Sequence, residues 1–255
     1  MNQISILKWF LISGITDCIG EVSVNRFQLS TNKTLKQPVS AEQTTQILIS
    51  TEETTFKAQA EKLAYSATNL TELHAALLQF DGCSLKKTAQ HTLSGTGITE
   101  TSKILCLIDT PKSADEKNGH LASGETGELL IKMLKAINLD CAVNTHLAPI
   151  IPWRLPGDRF PTDSEINICL PFIQKRIELL KPQAILMFGS IPVKSLLNID
   201  SIPKARQQSL FYTLTTGKQI PVVATFGPDM VRKSQSYRKN AWEDLQKLAT
   251  IIANS

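Results

Sequence analysis

Asp109 follows directly on the apolar run Ile104-Leu105-Cys106-Leu107-Ile108 and precedes Thr110-Pro111. A strand over that run delivers its carboxylate to a sheet end, where it can serve as acid or base or hold a water. Three further stretches stand in the same relation to apolar runs: Pro149 to Arg159, Gly189-Ser190 and Gly227-Pro228. Other chemistries lack their markers. The chain has no Walker A loop, no Gly-x-Gly-x-x-Gly after a strand and no serine elbow, so nucleotide hydrolysis, hydride transfer and the usual esterase chemistry are disfavoured. The histidines at 74, 91, 120 and 146 are scattered and no Cys-x-x-Cys or His-x-x-x-His occurs, so no metal site is expected. His74, on an expected helix, reads as a surface or satisfied core residue, whereas His120 lies in a polar loop near the strand ends.

The elements that must position these residues alternate. Residues 104–108 and 184–188 read as strands buried on both faces, and 141–147 as another strand. Helical patterns cover 55–68, 70–80, 127–137, 192–197 and 237–253, and Thr162-Asp163-Ser164-Glu165 is a capping box opening a helix to about residue 180. Residues 210–215 and 219–226 form a hairpin-like pair through Thr216-Gly217. This order predicts an α/β fold, a three-layer α/β/α sandwich with a mainly parallel central sheet of about four strands. In such sheets the ligand site lies beyond the carboxyl ends of the strands.

Domain organisation follows from composition. Residues 1–25 are read as an N-terminal helix, 26–53 as a polar flexible linker and 54–255 as the domain. The apolar run 4–15 contains Lys8 and is about half the roughly 20 residues a membrane span needs, so it is expected to dock onto the domain or onto a partner protein and not to enter a membrane. The chain has 255 residues and net charge +4, with about −2 on residues 1–150 and +6 on 151–255, which aims any polyanion at the C-terminal half. Five widely spaced cysteines, at 18, 83, 106, 141 and 169, point to buried thiols in a reducing compartment, the cytoplasm.

Several blocks together carry a family resemblance. Leu107-Ile108-Asp109-Thr110-Pro111-Lys112, with Asp115-Glu116, Gly119 and Gly124-Glu125-Thr126-Gly127-Glu128-Leu129-Leu130, resembles the first motif region of the family-four uracil-DNA glycosylases. Pro152 to Thr162 resembles that family's proline-rich segment. Lys181-Pro182 with Leu186 to Gly189, and Ala224 to Pro228 with Arg232 and Ala241-Trp242-Glu243-Asp244-Leu245, match further blocks, as does Phe80 to Ala89 upstream. The resemblance spans about residues 70–250. It implies a base flipped out of DNA, a ring stacked on it, an Asn reading its edge, an acidic residue near the attacking water and a His beside the leaving anion.

The departures fall on those positions. Asp109 stands where the family has Glu, and Ile108 and Lys112 replace motif glycines. Ala122 falls where the stacking ring belongs, Pro149 where the reading Asn belongs and Gly227 where the His belongs. With Thr110 and Pro111 these define the expected uracil pocket. Of the four cysteines that hold the family's iron–sulfur cluster, only Cys83 and Cys169 have counterparts; Phe80 and Trp153 occupy the other positions, so no cluster is expected. Each lost group is worth on the order of 1–4 kcal/mol.

Two readings follow from the resemblance. One is a working glycosylase in which Asp115 or Glu116 supports Asp109 and His120 or His146 replaces the missing imidazole. The other, favoured for the chemistry, is a degenerate member expected to keep the fold and DNA contacts but not base excision. Arg159, Ser190, Arg232 and Lys233 are the candidate DNA contacts, Arg159, Arg232 and Lys233 being read as loop residues and Met230-Val231 as an apolar wedge. DNA binding is expected to be weak and sequence-independent. Trp242 reads as core, and Gly189 as a turn that needs glycine's backbone freedom.

Overall fold

The computed structural model describes residues 51–97 and 103–254, so the helix expected over 1–25 and nearly all of the expected linker lie outside the described residues. Helix α1 (Thr51–Ser66) begins inside the stretch read as linker. In α2 (Leu70–Gln79) the Asn69 side chain accepts the Glu72 N–H at 2.9 Å, and the Glu72 carboxylate accepts the Thr68 N–H at 2.7 Å. One free amide of the first turn and one just before the helix are thereby satisfied. A single turn, α3 (Leu85–Thr88), leads to the short edge strand β1 (Thr96–Gly97).

The α/β alternation then sets in. Strand β2 (Ile104–Ile108) is followed by α4 (Ser113–Asn118), α5 (Gly124–Lys135) and β3 (Thr145–Pro149). A 3-10 turn at Pro156–Asp158 precedes α6 (Asp163–Leu180), β4 (Ala184–Phe188), α7 (Ser190–Leu197) and α8 (Ile202–Arg206). The hairpin β5 (Leu210–Thr213) and β6 (Gln219–Thr225), then α9 (Pro228–Lys233) and α10 (Gln235–Ala253), complete the chain. The expected capping box is present, with the Glu165 N–H donating to Thr162 at 3.2 Å and the Thr162 N–H to Glu165 at 2.8 Å.

One strand begins later than its apolar pattern suggested. Residues 141–144 are turn, because the Asp140 carbonyl accepts the N–H groups of Val143, Asn144 and Thr145, and its carboxylate that of Ala142. Local Asp hydrogen bonding outcompetes the ladder there, and β3 starts at Thr145.

The six strands lie in the order β1-β3-β2-β4-β6-β5, with β3, β2, β4 and β6 parallel and the two edge strands antiparallel. The four-strand parallel core is the one the sequence implied, and the edges were added by a two-residue strand and the hairpin. Every residue of β3 and β4 is buried, as expected for strands covered on both faces. Helix α10 packs on β4 and β6 and carries α9, which also meets α5; α1 and α2 pack on α6, while α7 touches β2 and β4. The result is a three-layer α/β/α sandwich. Among the described residues no helix is long and apolar enough to cross a membrane.

Topology locates the site. From β2 the chain crosses to β3 on one side, then from β3 to β4 on the other, so the strand order reverses between β2 and β4. A crevice opens beyond the carboxyl ends of strands at such a reversal. Asp109 and Gly189 are the residues that follow those two strands.

Candidate active site

Asp109 projects from the end of β2 into the turn between β4 and α7. The Ile191 N–H donates to its Oδ1 at 3.1 Å. Gly189 has φ +93°, and a Cβ built there would lie 2.5 Å from both carboxylate oxygens. Glycine is therefore required twice, for the backbone and for the space the carboxylate fills. The Gly189 N–H donates to the Thr225 carbonyl at 3.0 Å, which ties the ends of β4 and β6 together.

Burial raises the Asp109 pKa to about 6, with the Asp229 carboxylate adding to the rise and the Ile191 N–H and the Lys112 ammonium opposing it. In the unfolded chain the group ionises near 3.8. The ionised native carboxylate therefore carries a stability penalty that is fully present above about pH 6 and absent below about pH 4. Asp109→Asn keeps an acceptor for Ile191 and removes the charge. It is expected to raise unfolding free energy at pH 7 by about 3 kcal/mol, a gain that urea midpoints should show vanishing near pH 4. An equal gain at both pH values would refute the assignment of strain to the charge.

Asp109, Thr110, Ala122 and Gly227 line one cavity of about 60 Å³, together with Lys112, Phe188 and Asp229. That volume admits a few waters. Lys112 Nζ stands 3.2 Å from Asp229 Oδ2, and the Thr126 hydroxyl donates to Asp229 Oδ1 at 3.0 Å. Lys112, Phe188 and Asp229 were not singled out as site residues from the sequence, although each lies at a strand end or within four residues of one. Position after an apolar run is the signal that could have found them.

Of the other candidates only Asp115 reaches the same cavity. Pro149 is the buried last residue of β3, in register with Ile108, and Pro111 is buried; neither lines the cavity. Asp115 is buried and spends both oxygens on the backbone, accepting the Lys112 N–H at 2.8 Å and the Ser123 N–H at 2.7 Å. Glu116 accepts the Gln90 N–H at 2.8 Å and faces Arg154 at 3.3 Å. Both carboxylates therefore brace the loops around Asp109; Asp115 does so from within the cavity lining, whereas Glu116 lies outside it.

Neither histidine stands in for the missing imidazole. His120 is exposed and outside the cavity lining, 3.0 Å from the Ser123 hydroxyl. His146 is buried on β3 with Arg176 Nη1 at 2.8 Å from its Nε2, and burial with that neighbouring cation holds its pKa at about 3. Such an imidazole stays neutral and cannot offer a proton at working pH.

Of the candidate DNA contacts, Ser190 is exposed at the start of α7. Arg159 forks onto Glu165 of the capping box. Arg232 and Lys233 belong to the last turn of α9, not to a loop, and Arg232 pairs with Glu125. Val231 is buried against the core, which removes the expected wedge, and Trp242 is 45% exposed instead of core.

The cysteine positions are packed apart from the site. Cys83 and Cys169 are buried, with the Cys169 thiol donating to the Cys83 sulfur; this lowers the Cys83 pKa and raises that of Cys169. Phe80 and Trp153 are fully buried; the Phe80 ring packs 5.4 Å from that of Phe172, and the Trp153 indole donates to Thr92 at 3.0 Å. Among the described residues no group of three or more His, Cys, Asp or Glu side chains could hold a metal ion.

Comparison with known proteins agrees with this topology. The profile of the Uracil DNA glycosylase superfamily matches residues 95–246. The Type-4 uracil-DNA glycosylase of Pyrobaculum aerophilum is 23% identical over 69% of this chain and 91% of its own. That of Thermotoga maritima is 25% identical over 67% and 88%. The DNA polymerase of Bacillus phage SP01 is 24% identical over 66% of this chain and 18% of its own. With the profile covering more than half of its residues and the crevice lying where the strand order reverses, the chain belongs to the uracil DNA glycosylase superfamily.

Proposed function

We propose that this chain is a uracil-DNA glycosylase-like protein of base-excision ancestry, in which hydrolysis of the N-glycosidic bond of a flipped uracil is severely impaired. The observation that carries this reading is that Ala122 and Gly227 line the same cavity as Asp109 while presenting only a methyl and a hydrogen. Asp109 remains able to hold a water or to stabilise a cationic sugar. Nothing on the Ala122 wall can stack on a base, and Gly227 offers the departing anion no side chain. A non-enzymatic DNA-binding module is the second reading, favoured by the small volume of the cavity.

The residues at the family's cluster position do not fit an iron–sulfur group. Two of the four places are fully buried aromatic rings, and the two thiols that remain are hydrogen-bonded to each other. Four thiolates cannot be assembled there, and protein purified without reductant is expected to carry no stoichiometric iron.

The inherited DNA face supplies the test that both readings share. Binding is expected to be weak, independent of sequence and steeply salt-dependent, because it rests on a few phosphate contacts. Arg232→Glu with Lys233→Glu should weaken it equally on all sequences and reduce the slope of log affinity against log salt by about two. Unchanged affinity at low salt would remove Arg232 and Lys233 from the DNA face, and no binding by the parent would leave a protein-interaction module.

A further inference from the structure

Next to the candidate pocket, α5, α9 and α10 enclose a second concavity, a groove of about 470 Å³. Leu129, Met133 and Trp242 form its apolar floor, and Lys132, Arg232 and Arg238 stand around it with no carboxylate in the lining. Trp242 is 45% exposed, although it sits one position from Ala241 on the buried stripe of α10. Arg238 is held in place by donating to the Val231 carbonyl at 3.2 Å and the Arg232 carbonyl at 3.4 Å, two free acceptors at the end of α9. An accessible indole fixed among three cations is the combination that binds a base by its face and a backbone by its phosphates.

The position of α9 ties this groove to the pocket. Its first turn, with Asp229, lines the pocket, and its last turn, with Arg232, lines the groove. Three helical residues separate the two, a rise of about 5 Å. A nucleotide beside one whose base enters the pocket is within reach of the indole.

We propose that this groove is a subsite for a flanking nucleotide of single-stranded DNA, with a base stacked on Trp242 and its phosphates met by Arg232, Arg238 and Lys132. The assignment rests on the DNA reading given above. It adds the strand form, because an indole face is free to stack only on a base that is itself unpaired. Lys132 and Arg232 face Glu128 and Glu125 across exposed ion pairs, which a phosphate can displace at little cost.

A thymidine dodecamer titrated into the full chain tests this, with Trp9→Phe as background so that buried Trp153 is the only other indole. Binding is followed by anisotropy of the labelled oligonucleotide and by indole fluorescence. Saturable, salt-sensitive quenching is expected. Trp242→Ala should weaken binding about tenfold with the salt slope unchanged, since no phosphate contact is removed. Ala136→Glu, an exposed change at the groove's rim, should weaken it as well and serves as a control for damage to α10. Undiminished affinity in both variants overturns the subsite while leaving DNA binding intact. Absence of any binding by the parent overturns both. Quenching by poly-glutamate at concentrations where the dodecamer leaves the indole bright would overturn the assignment in favour of an acidic protein partner.

Discussion

An oligonucleotide carrying one uracil is expected to lose its base to this protein about four orders of magnitude more slowly than to a superfamily member that keeps the ring, the reading amide and the imidazole. Three missing groups at about 2 kcal/mol each raise the barrier by about 6 kcal/mol, and each 1.36 kcal/mol is a factor of ten. Whatever excision survives should pass through Asp109, so Asp109→Asn should bring release to the uncatalysed level. Residual activity should also carry the Asp109 titration: rising about tenfold per pH unit below pH 6 and level above it, because only the ionised form can accept a proton or hold a cationic sugar. Uracil release measured across pH 4 to about 9, with the Asn variant as floor, checks both statements. Robust excision by the unmodified protein would sink the degenerate reading, and a flat pH profile would remove Asp109 from the residual step.

The same carboxylate shows what was legible in the sequence. An apolar run buried on both faces identifies a parallel strand, and the first polar residue after it is delivered to the carboxyl edge, so Asp109 could be placed without coordinates. Gly189 was read as a conformational necessity, which its φ of +93° supports, but the carboxylate lodged against it depends on β2 and β4 being neighbours. His146 illustrates the converse. A histidine three residues before a strand end is indistinguishable in sequence from a catalytic one until Arg176, from α6, is seen to lie against it. Asp115 was similarly ambiguous, because an acidic residue at the third position of a short helix is as often a backbone brace as a proton carrier. Trp242 leaves the expected core for a reason of angle. Ala241, Asp244, Leu245 and Leu248 form the buried stripe of α10, and a residue one step from its edge turns toward the neighbouring groove. The pairing of Lys112 with Asp229 is beyond reach of the sequence, since it joins the segments that follow β2 and β6 only once the sheet has brought them together.

Restoring the imidazole is expected to have the largest positive effect. A Cβ added at Gly227 meets nothing nearer than the Gly189 nitrogen at 4.0 Å, and the residue has an ordinary φ of −64°, so Gly227→His should fold as the parent does. As N-cap of α9 it makes no side-chain capping bond that the change would break. The new ring starts beside the turn that holds Asp109 and on the wall of its cavity, where it can meet a departing base anion; one such donor is worth about a hundredfold in rate. Ala122→Phe supplies the second missing surface. The Ala122 backbone is already held at φ +60°, pressed so closely on α5 that a Cβ placed on Gly127 would lie 2.0 Å from its carbonyl carbon. Alone it should do little, because a stacked base with an unstabilised anion still leaves slowly. Together the two changes should exceed the product of their separate effects, since stacking and anion stabilisation act on one transition state. Single-turnover uracil release by the parent, both single variants and the double variant completes the cycle. A folded Gly227→His protein with no gain would show that the cavity of about 60 Å³ does not open far enough to admit a base, and the protein would then be a DNA-binding module that has closed its pocket.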